Sequence, residues 1–252
     1  MKLPKLLTLA ASLAMISSSA IAQLWTDPQG ENLPLDFKIQ GEYADEEMGA
    51  QVIALGKGEF HAVLYPGGLP GAGWDGKNKI LMDGRLKGEK ASFLPAAGKK
   101  KYMAKSAAEF SATSKFPPTG NLPYLGNIQD GVFSVKASKG KTFSLKRTIR
   151  QSPTLGGQPP KGAIVLFDGS EKSLANWQGG RVDKKTGLLN TDGRDIKTKE
   201  KFLNYNMHLE FMLPFKPDAR SQGRGNSGFY QVDLYEMQIL DSFGLMGLNN
   251  EC

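Results

Sequence analysis

Apolar and polar positions alternate along this chain in short runs separated by glycines. "FKIQGEY", "AQVIALG", "EFHAVLY", "KILMDGRL", "GVFSVKA" and "TFSLKRTI" each have the period of two that puts successive side chains on opposite faces of a strand. After the first residues, no long window repeats apolar residues at helical spacing with caps at both ends. Regular turn signals between the runs predict an all-β chain with antiparallel strands, a sandwich or barrel, and not βαβ units. "YPGGLPGAGWDGKN" reads as a long loop in which Trp74 pins the glycine-rich chain to its own sheet.

The start of the chain has a different pattern. Lys2 and Lys5 precede a short apolar run, and Ala20-Ile21-Ala22 supplies a small-x-small cleavage signal. Residues 1–22 are therefore expected to be a secretory signal peptide, giving a periplasmic or extracellular protein that starts at Gln23. The apolar run is too short for a bilayer span, and no later run reaches membrane length, so the mature chain is expected to have no transmembrane segment. "RQSPTLGGQPPKG" has linker chemistry. It divides the chain into a β domain at 24–150, a Pro/Gly-rich linker at 151–162 and a second domain at 163–252.

Charge sharpens this division. The net charge is +7. Residues 161–252 hold twelve basic and twelve acidic side chains, so the whole excess lies upstream. An exported chain without a recognition motif is not expected to bind nucleic acid. Solvated strand faces, or contact with an acidic surface, account better for the excess. The one cysteine, Cys252, is terminal and has no partner within the chain. His61 and His208 lack zinc-ligand spacing.

The second region carries the candidate chemistry. "AIVLF" reads as a strand at 164–167, "LLNTDG" as strand plus turn, and "NMHLEFML" as a strong strand. On "YEMQILD" the alternation sends Glu236, Gln238 and Leu240 one way and Tyr235, Met237, Ile239 and Asp241 the other. Glu236 and Gln238 are then about 7 Å apart on one face. Glu210 would join them if "HLEFM" paired alongside. A carboxylate cluster on a sheet face could accept hydrogen bonds from sugar hydroxyls or work as acid and base. The same alternation is also what any sheet with one wet face shows, and Asn226-Ser227-Gly228 is by itself an ordinary turn signal.

"LFDGSEKSLANWQ", "HLEFMLPF", "GRGNSGFY", "YEMQILDSFGL" and "NNEC" occur in an order that resembles the 3-keto-disaccharide hydrolase domain family over about residues 164–252. The resemblance implies a concanavalin-like jelly-roll β-sandwich. It also implies hydrolysis of glycosides whose ring carries a 3-ketone. The ketone acidifies the C2 proton, a base removes it, the C1 substituent leaves and water adds back. Such a site needs a base, and hydrogen-bond donors or a divalent metal ion to stabilise the enolate. By resemblance Glu236 is the base or a metal ligand and Glu210 its partner. Gln238, Asn226, Ser227, Arg224 and Asp241 are the substrate-binding residues, with a carbohydrate as partner. Family members continue beyond the "EC", so the jelly roll here is expected to be partial and the chain a fragment. A carbohydrate-binding module without catalysis and a structural envelope protein are the competing readings.

Overall fold

The structure, a computed structural model, describes residues 31–97, 121–138 and 140–244. The expected signal peptide, the basic "GKKKYMAK" stretch and the terminal "NNEC" fall outside the described residues. The fold is all-β, as the alternation predicts.

Eight antiparallel strands form a closed up-and-down barrel. They are β1 (Gly41–Ala44), β2 (Met48–Gly56), β3 (Glu59–Pro66), β4 (Ile80–Lys87), β5 (Lys90–Pro95), β6 (Tyr124–Gln129), β7 (Val132–Ala137) and β8 (Thr142–Thr148), with β8 pairing back onto β1. Closure leaves no free edge. The tight turns follow from sequence. Lys57-Gly58 and Asp130-Gly131 all sit at positive φ, the geometry that two-residue hairpins demand. A 3-10-free single turn of helix, α1 (Leu35–Ile39), occupies the first half of the expected "FKIQGEY" strand. The Tyr43 hydroxyl donates to the Ile39 carbonyl at 2.7 Å, tying α1 to β1.

The barrel interior is filled by side chains. Tyr43, Phe60, Phe93 and Phe133 are all buried there, with Phe93 and Phe133 4.9 Å apart. They are joined by alternate residues of β2 to β4, among them Val52, Leu64 and Met82. A second apolar cluster, Ile53, Leu55, Val63, Tyr65, Leu81 and Ala96, covers the outside of the same strands, with Trp74 and Phe243 against it. Strand β2 is consequently buried on both faces, and its sequence runs apolar almost without interruption. Trp74 packs edge-on to Tyr65 at 5.1 Å, so it does pin the loop that follows β3.

Beyond the barrel, regular structure is sparse. Three two-stranded sheets form: β10 (Arg181–Val182) with β11 (Leu189–Asn190), β12 (Lys197–Thr198) with β9 (Trp177–Gln178), and β13 (Asn226–Gln231) with β14 (Tyr235–Leu240). Two expected strands are not formed. Residues 164–167 have no ladder. Instead the Leu166 carbonyl accepts from Trp177 Nε1 at 2.9 Å and from Asn176 Nδ2 at 3.1 Å. Residues 206–213 likewise have no ladder, and Leu209 and Phe211 are exposed. The alternation there is genuine, but a strand needs a neighbour for its N–H and C=O groups, and none of the described segments pairs with it.

Candidate functional site

The β13–β14 hairpin holds most of the expected site residues. Its register pairs Asn226 with Leu240, Gly228 with Gln238 and Tyr230 with Glu236. Directly opposed residues share a face. One face therefore presents Asn226, Gly228, Tyr230, Glu236, Gln238 and Leu240. The other presents Ser227, Phe229 and Gln231 with Ile239, Met237 and Tyr235. Ser227, expected among the substrate-binding residues, lies on the face opposite Glu236, the largely apolar side of the hairpin.

The polar face is internally hydrogen-bonded. The side-chain amides of Gln238 and Asn226 meet at 2.5 Å. With the Gln238 nitrogen turned toward Glu236 it donates to Oε1 at 3.0 Å and Oε2 at 3.3 Å, and the Asn226 amide turns with it so that its nitrogen donates to the Gln238 oxygen. The Glu236 carboxylate lies over the backbone of Gly228, where a Cβ would sit 2.0 Å from Oε1. Glycine is thus what lets the carboxylate lie flat across the sheet.

Tyr230 completes the group, and it was not among the residues read from the sequence. Its pKa is raised, first by its interaction with the Glu236 carboxylate and then by lost hydration and the charges of Glu236 and Asp195. The signal was present in the sequence. Counting by two from Asn226 reaches Tyr230, but only the hairpin register places it opposite Glu236. The turn joining the strands is anchored to the neighbouring sheet by Lys197, whose Nζ is 2.8 Å from Asp233.

Three other expected site residues are engaged elsewhere. The Arg224 side chain is 2% exposed and its Nε donates to Asp241 at 3.1 Å. Its Nη1 donates to the Ala54 carbonyl at 3.2 Å, at the end of β2. Arg220 makes a parallel contact, donating to the Leu55 carbonyl at 2.9 Å. Arg224 and Asp241 therefore fasten the base of the hairpin to the barrel. Glu210 sits in the unpaired 206–213 segment. Its Oε1 accepts from the Gly156 amide at 2.7 Å and approaches His208 Nε2 at 3.1 Å. These two bonds, the one with His208 first, hold its pKa below the ordinary glutamate value. Glu210 is thus a contact to the linker and makes no bond to the Glu236 group.

The donor set does not suit a divalent cation. Such ions take several oxygen ligands, usually more than one carboxylate. The hairpin face offers Glu236 with two amides and a phenol, and among the described residues no group of three His, Cys, Asp or Glu side chains could hold a metal ion. No helix among the described residues is long and apolar enough to cross a membrane.

The hairpin face thus presents a carboxylate, two amides and a phenol side by side. Residues 162–252, the part that contains this hairpin, match the family model of the 3-keto-alpha-glucoside-1,2-lyase-like domain. That is the family to which the sequence resemblance points, and its name ties this part of the chain to 3-keto-glycoside chemistry. No curated protein and no solved structure matches the chain.

Proposed function

We propose that the protein is an exported carbohydrate-active enzyme that hydrolyses 3-keto-glycosides, with Glu236 as the base that removes the C2 proton. The observation that carries this reading is the Glu236 carboxylate itself. It lies over Gly228 with hydrogen-bond donors on its flanks, within the segment that matches the family. A carboxylate fixed in this way can accept a carbon-bound proton made acidic by the adjacent ketone. Gln238 and Asn226 supply donors and acceptors that orient the sugar hydroxyls or the enolate oxygen. Elimination of the C1 substituent and addition of water complete the hydrolysis.

The basic, small-residue-terminated pattern of residues 1–22 supports export, and mass spectrometry of the secreted protein should find Gln23 at its amino terminus. The linker composition at 151–162 supports two domains, with the barrel serving as the platform on which the catalytic part is docked. The activity is tested by incubating the full chain with a 3-keto-glucoside and following release of the 3-keto-sugar. Turnover that falls at least ~100-fold in Glu236→Gln supports the assignment. Binding of the sugar without turnover by the unaltered chain would instead identify a carbohydrate-binding module.

A further inference from the structure

Elimination from a 3-keto-glycoside needs a second group besides the base, because a sugar alkoxide is a poor leaving group unless it is protonated. The hairpin register limits where that proton can come from on this face. Of Asn226, Gly228, Tyr230, Glu236, Gln238 and Leu240, only Tyr230 joins Glu236 in carrying an ionisable proton. Tyr230 lies directly opposite Glu236 on the same face of the hairpin, and its side chain is half exposed.

We propose that Tyr230 is the acid that protonates the departing glycosidic oxygen, and that it recovers its proton from Glu236. This rests on the reading of Glu236 as the C2 base. In the first step the C2–H bond breaks, the proton passes to the carboxylate, and the electron pair is delocalised onto the C3 carbonyl. That pair then forms the C1–C2 double bond as the C1–O bond breaks, and the leaving oxygen takes the Tyr230 proton. The resulting phenolate then takes the proton held by Glu236, its cross-strand neighbour. The net transfer is one proton from C2 to the leaving alcohol, with both side chains restored and no further reactant consumed before water adds. The raised pKa of Tyr230 fits this role, since the phenol keeps its proton until a stronger base develops beside it.

The test compares two leaving groups on the full chain. A nitrophenolate departs without protonation, whereas methoxide does not. In Tyr230→Phe, turnover of methyl 3-keto-glucoside should fall at least ~100-fold while turnover of the nitrophenyl 3-keto-glucoside falls less than ~3-fold. Exchange of the C2 proton with deuterated water should persist in the variant. Equal losses for both substrates, as a merely structural role would give, or no loss for the methyl glycoside, overturns the proposal. Glu236→Gln separates the two claims. C2 exchange that survives this substitution overturns the base assignment itself, whatever Tyr230→Phe does.

Discussion

Glu236 and Gly228 are diagonal neighbours across the β13–β14 hairpin, and the carboxylate of the first occupies the space a side chain on the second would need. A Cβ at Gly228 would be 2.0 Å from Glu236 Oε1. Gly228 does not have a positive φ, so alanine is conformationally allowed there. The clash is with the free end of a flexible side chain, which can swing away. Gly228→Ala should therefore cost under about 1 kcal/mol of stability yet reduce 3-keto-glycoside turnover by ~10-fold or more, because the base is displaced. Parallel melting curves and rate measurements check this.

Arg224 and Asp241 should behave as a stability pair. Their ion pair is almost enclosed, and Arg224 also satisfies the Ala54 carbonyl. Removing one partner leaves the other charge without compensation, so Arg224→Met should destabilise by about 3 kcal/mol in urea denaturation. Arg224→Met combined with Asp241→Leu should lose less than the single change. If Arg224 instead served the substrate, the single variant would raise KM with its stability intact.

Val232 is a local fault in the hairpin. It and Asp233 sit at φ of 49° and 59° between the strands, and the Leu234 amide donates to Gln231 O at 3.0 Å. Both central positions of such a turn favour Asn or Gly, and a β-branched residue there is strained. Val232→Asn should stabilise the hairpin by about 1 kcal/mol, visible as slower amide exchange across β13 and β14.

The linker contact should depend on pH. The folded-state pKa of Glu210 is depressed, first by His208 and then by the Gly156 amide. A depressed carboxyl contributes its stability above its unfolded-state pKa and loses it as pH falls through the lower folded value. Protection of the Gly156 amide, measured against its intrinsic exchange rate at each pH, should thus be high near neutrality and fall on acidification below the ordinary glutamate range. Glu210→Gln should remove that pH dependence.

The barrel was partly legible in the sequence because its strongest strands are rich in β-branched and aromatic residues. Strands β2, β3, β4, β7 and β8 all announce themselves in this way. "KASFLP" and "YLGNIQ" do not, since lysine, alanine, glycine and asparagine give little strand signal on their own, and β5 and β6 form because their neighbours supply the ladder. Closure between β1 and β8 depends on pairing across more than a hundred residues, which no local pattern encodes. At the hairpin, period two places Glu236 and Gln238 together. The hairpin register, which places Tyr230 opposite Glu236 and Ser227 on the other face, depends on pairing that no single strand encodes. Nor could it show that Arg224 and Asp241 pair with each other against the barrel, since a guanidinium's partners are set by tertiary packing. The "NMHLEFML" segment shows the converse: strong alternation, but no strand in the absence of a neighbour to pair with.

Removal of the C2 proton of a 3-keto-glycoside by Glu236 is tested most directly by incorporation of deuterium at C2 when the full chain is incubated with the substrate in deuterated water, followed by NMR. Exchange should depend on the unaltered chain and be at least ~100-fold slower with Glu236→Gln. Exchange at the same rate in both, from a variant that melts like the parent, would contradict it.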